Sequence, residues 1–190
     1  MTAGHHEGHG DGHERRYGGE LARLRGPERL ALLEVDRVVE LCLEGLAAES
    51  VLDVGAGTGL WAEAFARRGL RATGIDVKEE MVAEARRLVP QAEFTVGAME
   101  SLPWPDRSFD LVFLGHVLHE ADDVVAALRE ARRTAKSRVA ALEWPYRTEE
   151  HGPPLAHRLT TGRVEDAARA AGITCIDHRP LAHMVLYLFR

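Results

Sequence analysis

The chain has 190 residues, 45% of them hydrophobic and 28% charged, which excludes collagen-like, mucin-like and wholly disordered classes and allows one domain with a sizeable core. With 30 acidic against 24 basic side chains and a net charge of -6, it lacks the basic balance that nucleic acid or an anionic membrane surface calls for. Two distant cysteines, no apolar run of membrane-spanning length and no apolar export segment at the amino terminus point to the cytoplasm.

In chain order, residues 1–16 form a mobile tail rich in His and Gly, with nothing apolar to offset their ordering entropy. His5, His6, His9 and His13 offer imidazoles for a weak metal site, which Gly4, Gly8, Gly10 and Gly12 oppose by disfavouring a helix at about 1 kcal/mol each. Residues 17–49 make an amino-terminal helical segment, in which apolar positions from Pro27 to Leu46 recur at near-helical spacing. Residues 50–190 then alternate short apolar runs with helical patterns, the signature of parallel strands with crossover helices.

The predicted strands are 50–54, 71–76, 93–96, 109–114, 138–144, 173–178 and 184–189, and the predicted helices 60–68, 79–89, 122–135 and 164–171. The last two strands are joined by too short a segment for a crossover, so they must pair antiparallel. The expected fold is α/β: a Rossmann-like seven-stranded mixed sheet, mostly parallel with one antiparallel edge strand, with helices on both faces.

The most informative stretch is VLDVGAGTGLW, 51–61, where a strand runs into three alternating glycines and then a helix. Gly55, Gly57 and Gly59 allow a tight turn and close approach of a ligand at the carboxyl end of the first strand, the usual place for a nucleotide-like group. The spacing is G-x-G-x-G, with Leu60 breaking the G-x-G-x-x-G of dinucleotide sites. Asp53 just ahead of the loop repels a pyrophosphate and favours a cationic ligand such as a sulfonium. Asp76, ending the second strand, is placed to accept both hydroxyls of a ribose.

These residues resemble the class I S-adenosylmethionine-dependent methyltransferases, from Val51 to the carboxyl terminus. Besides the glycine loop and Asp76, the family's third signature is similar to GAMESLPWPDRSFD, 97–110. Within that resemblance the chain lies near the short bacterial enzymes of ubiquinone and menaquinone biosynthesis. The resemblance makes 50–190 a methyltransferase domain and 17–49 a lid, with Arg16 and Tyr17 folding over the cofactor.

It implies S-adenosyl-L-methionine as cofactor, held by Asp53, Gly55, Ala56, Gly57, Gly59, Asp76, Val77, Ala98, Met99, Glu100, Leu114 and Gly115. Ala98 departs from the family's adenine-contacting Asp, removing a hydrogen bond of about 0.5–1.5 kcal/mol. Met99 can still cover the ring. At the end of the fourth strand His116 is the candidate catalytic base, with Gly115 leaving room for the cofactor. His119, Glu143, Trp144, His157 and Arg158 are the candidate contacts to a small-molecule methyl acceptor. The function expected is in-line methyl transfer to that acceptor, with a homodimer left open. The alternative is a non-catalytic S-adenosylmethionine-binding or metal-responsive module.

Overall fold

A computed structural model describes residues 24–174 and 176–189. The expected metal-binding histidines at 5, 6, 9 and 13, the lid residues Arg16 and Tyr17, and Cys175 lie outside these residues. Among the described residues, no helix is long and apolar enough to cross a membrane, and no group of three or more His, Cys, Asp or Glu side chains stands close enough to hold a metal ion.

The elements are α1 (Pro27–Leu33), α2 (Val35–Leu43), β1 (Ser50–Val54), α3 (Leu60–Arg67), β2 (Arg71–Asp76), α4 (Glu79–Leu88), β3 (Glu93–Val96), β4 (Phe109–Gly115), α5 (Val124–Thr134), β5 (Ala135–Glu143), α6 (Thr161–Ala170), β6 (Ile176–Pro180) and β7 (Val185–Phe189). The single helix expected over 27–46 is instead two, because Glu34 takes a left-handed backbone (φ 45°) and turns the chain between α1 and α2. The fifth strand starts three residues earlier than expected, with no turn separating Thr134 from Ala135.

The seven strands lie in the order β3-β2-β1-β4-β5-β7-β6. β1 to β5 are parallel, and β7 runs antiparallel between β5 and β6, as the short connection between the last two strands demands. From β1 the chain winds outward to β2 and β3, then returns to place β4 on β1's other side. That reversal opens a crevice at the carboxyl ends of β1 and β4.

Helices cover both faces because the central strands are buried on both. Along β1, Val51 packs with Phe65, Phe113 and α2's Val38 and Val39 on one face, while Leu52 and Val54 join Val112, Leu114, Leu128 and Val164 on the other. Cys42 is fully buried in the first layer, and burial pushes its thiol far above the usual range, so it is an inert packing residue.

At the opposite edge from the crevice, Asp110 pins the start of β1 to β4. Its Oδ2 accepts the Glu49 and Ser50 amides at 3.0 and 2.9 Å and the Ser50 hydroxyl at 2.7 Å, while Lys136 stands 3.1 Å from Oδ1. Burial raises this carboxyl's pKa, but the Ser50, Glu49 and Lys136 contacts outweigh it and bring it to about 2. A depressed pKa contributes stability above the ordinary value and loses it as the pH falls towards the folded one. Asp110→Asn is therefore expected to cost about 2 kcal/mol at neutral pH, with the difference shrinking towards pH 2, as thermal unfolding of both proteins across that range will read. A gap that persists in acid would show that the carboxylate's charge is not what ties the strands.

Candidate functional site

The loop after β1 is pinned to β2, since Gly55 and Ala56 both donate their amides to the Ile75 carbonyl, at 2.8 and 2.9 Å. Its glycines serve different ends. Gly55 (φ +68°) makes room for Val117, whose side chain would lie 2.3 Å from an added Cβ. At Gly57 (φ +52°) a Cβ would meet, among the described residues, only Leu24, at 3.8 Å. Gly57 is thus the glycine whose missing side chain keeps the hollow free.

The two acids of the motif behave differently. Asp53 points beneath the loop and caps α3: its Oδ2 accepts the Ala62 amide at 2.9 Å, the N3 donor that Gly59 cannot satisfy with a side chain. It is fully buried, and its Oδ1 has no partner. Burial, reinforced by the neighbouring charge of Asp76 and only partly opposed by the Ala62 amide, pushes its pKa up to about 8. Asp53 was expected to face a cationic ligand as a carboxylate. It stands behind the cavity wall, and its burial favours the neutral acid at pH 7. Asp76 does reach the cavity, with Oδ2 accepting the Gly57 amide at 2.8 Å and Oδ1 the Lys78 amide at 2.9 Å. Each oxygen keeps a lone pair for a further donor.

Where β4 ends, register decides the neighbours. Gly115 pairs with Leu142, so His116 and Glu143 emerge side by side from adjacent strands. His116 takes a left-handed backbone (φ 59°), its amide donating to the Leu142 carbonyl at 2.8 Å. Its ring lies between Trp61 and Trp144, with Nε2 3.1 Å from the Met184 sulfur. Burial, with Arg29 and His119 adding to it, holds this imidazole well below the usual histidine range, so it is neutral at pH 7. Gly115 was expected to make room for the cofactor. In the structure the room it leaves is taken by Trp61, whose indole nitrogen would lie 2.6 Å from an added Cβ.

Glu143, 2% exposed, is fully engaged: Oε1 accepts the Leu118 and His119 amides at 2.8 and 3.3 Å, and Oε2 stands 2.8 Å from His119 Nδ1. Beyond it, Trp144 is roofed by the loop 145–160, with Gly152 close against its ring. Arg158 lies over that ring at 5.4 Å, and its guanidinium donates to the carbonyls of Pro145, Arg147, His151 and Pro153. Expected as an acceptor contact, it spends these donors on four carbonyls and so shapes the loop.

One cavity of about 550 Å³ runs between these two ends. Gly55, Ala56, Gly57, Asp76 and Val77 line its loop end, and Ala98, Met99 and Glu100 the adjoining wall, where Glu100 accepts the Asp122 amide at 3.0 Å. Gly115, His116, His119, Trp144 and His157 line the far end. Asp53, Gly59, Leu114, Glu143 and Arg158 are not on its surface: Leu114 faces the opposite core layer, Asp53 caps α3, and Gly59, Glu143 and Arg158 hold Ala56, His119 and Trp144, which are. Sequence reasoning missed Arg29 and Leu33 of α1, Val117, Glu120, Pro153 and Pro154 in the wall. The first two read as one face of an amphipathic helix, and only the proline-broken loop carried a usable signal.

Residues 52–141 match the family described as methyltransferase domain. Among curated relatives, the demethylmenaquinone methyltransferase of Chlorobaculum tepidum is 38% identical over 95 residues, covering 50% of this chain and 39% of that protein. The malonyl-[acyl-carrier protein] O-methyltransferase of Halorhodospira halophila is 35% identical over 126 residues, covering 63% and 41%. The chain thus spans well under half the length of these relatives. A crystal structure of an S-adenosylmethionine-dependent methyltransferase from Aquifex aeolicus superposes with a TM-score of 0.80 at 25% identity, over 89% of this chain and 95% of that one.

Proposed function

We propose that this chain, which carries a class I S-adenosylmethionine-dependent methyltransferase domain, moves the cofactor's methyl group to a small acceptor held at the ends of β4 and β5. The observation that carries this reading is the continuity of the cavity: one hollow of about 550 Å³ joins the glycine loop and Asp76 to a chamber walled by Trp61, Trp144 and His119. That volume lies within the range of small-molecule sites.

The residues fit the cofactor on their own geometry. The space above Gly57, which a Cβ would fill, gives it bare main chain to rest on, and Asp76 retains acceptor capacity at the loop's edge for ribose hydroxyls. Val77, 43% exposed at the rim, and Met99 provide apolar cover for the adenine, with main-chain groups in place of the side-chain acceptor that Ala98 lacks. When bound, the cofactor supplies an electrophilic methyl group on a positively charged sulfur.

The protein's share is alignment and exclusion of water. Holding two reacting atoms in a near-attack arrangement is worth roughly 7–11 kcal/mol, so little else is demanded of the side chains. Trp61 and Trp144, each about 5% exposed, stiffen the far chamber, and the loop locked by Arg158 closes it. The names of the Chlorobaculum and Halorhodospira relatives, one for demethylmenaquinone and the other for malonyl-[acyl-carrier protein], support methyl transfer without fixing the acceptor.

Titration calorimetry with S-adenosylmethionine, S-adenosylhomocysteine and NAD tests the reading. The first two are expected to bind one to one and NAD not at all. Binding of NAD alone would sink it.

A further inference from the structure

We propose that His119 and Glu143 form the proton-accepting pair of the site, and that the acceptor is a small aromatic compound methylated on a hydroxyl group. This rests on the methyltransferase reading above and adds the chemistry of the acceptor to it.

The geometry is that of an oriented base. Glu143 Oε2 faces His119 Nδ1 at 2.8 Å, so Nδ1 carries the hydrogen and Nε2 keeps its lone pair on the side away from Glu143. Two main-chain amides on Oε1 hold the carboxylate still, and the pair is 5% and 2% exposed. His119 lines the cavity, while the nearest Glu120 oxygen, 4.0 Å from Nε2, stands beyond hydrogen-bonding distance. His116 lines the same chamber, its Nε2 standing 3.1 Å from the Met184 sulfur, but burial keeps its ring neutral and weakly basic. The role expected of His116 therefore falls to His119. The aromatic character follows from the wall: Trp61, Trp144, Pro153 and Pro154 line the same cavity as His119 and offer flat apolar faces for an aromatic ring to pack on.

The step balances. The acceptor's O–H bond breaks and its proton passes to Nε2, the oxygen's electron pair forms the bond to the methyl carbon, and the sulfur keeps the pair of the broken C–S bond. One positive charge leaves sulfur and one appears on the imidazolium, where Glu143 stabilises it.

Burial disfavours a charged His119, yet the charge and hydrogen bond of Glu143, helped by Glu120 and opposed by Arg158, raise its pKa above the usual histidine value. His116, the other ring facing the pair, is neutral. A base must be unprotonated, so turnover should rise with pH through this raised midpoint.

The test combines proton NMR of the His119 ring in ligand-free protein, S-adenosylmethionine calorimetry, and turnover of catechol as the probe acceptor. The expected results are an O-methylated product and a kinetic limb that coincides with the His119 midpoint. Glu143→Gln should move both to lower pH and cut kcat by about 100-fold, with cofactor affinity unchanged; His119→Gln should abolish the limb. Normal cofactor binding with a limb unmoved in Glu143→Gln, with methylation on carbon, or with catechol untouched would overturn this inference alone. A protein that binds no S-adenosylmethionine overturns the underlying reading instead, and the NMR midpoint then still reports whether Glu143 governs His119. Should Glu143→Gln fail to fold, His119→Gln decides by the presence or absence of the limb.

Discussion

Gly57→Val is expected to weaken S-adenosylmethionine binding by about 100-fold or more, a loss near 3 kcal/mol, while the protein stays folded. The added side chain enters the hollow above the loop, where Leu24 is its only neighbour within 4 Å among the described residues, and so occupies the space assigned to the cofactor. A left-handed backbone charges any L side chain about 1–2 kcal/mol, and Gly45 provides the matched control. It has a similar φ of +66° and, among the described residues, nothing within 4 Å, but it lies at the end of α2 and is not among the cavity's lining residues. Gly45→Val should lose comparable stability in thermal unfolding and bind the cofactor normally. Equal affinity in the two variants would place the cofactor elsewhere.

The second large effect is on stability. Asp53→Asn should flatten the protein's dependence on pH and make it more stable than the parent under mildly alkaline conditions. The folded pKa of Asp53 is raised from 3.8 to about 8, so its favourable contribution is complete below 3.8 and is lost as the pH climbs to about 8. At about 1.4 kcal/mol per unit, the loss amounts to several kcal/mol at most. Asparagine retains an oxygen to accept the Ala62 amide and never ionises. Urea unfolding at pH 5 and pH 8 reads the difference directly. Parallel curves for parent and variant would mean that this acid is already ionised and solvated in the folded chain.

The contrast between these two positions shows how far a motif can be read. G-x-G-x-G after an apolar run states that backbone must approach something closely, and Gly57 does face open space. The acid ahead of it, an obvious charge for a cationic ligand on paper, turns inward because β1 alternates its side chains and Asp53 falls on the face covered by α3. Whether an acid two residues before a turn meets the ligand or caps a helix depends on the face it occupies and what covers that face. His116 teaches the same lesson. Its place at the end of β4 was legible, but its contact with the Met184 sulfur, 68 residues away, was not. Arg158 reads as a free cation in a loop, and only the folded loop reveals four carbonyls gathered around it.

By itself the sequence determined the element types, the parallel core of the sheet with an antiparallel hairpin at its end, and the end of the sheet where a ligand must sit. All of these follow from periodicity, connection length and glycine spacing within short windows. Tertiary structure alone decided the break at Glu34, the inward turn of Asp53 and the partnership of His119 with Glu143. Those depend on strand register and helix placement, which set Asp53 beneath the Ala62 amide and bring His119 within 2.8 Å of Glu143, 24 residues on, and no local pattern records which groups will meet.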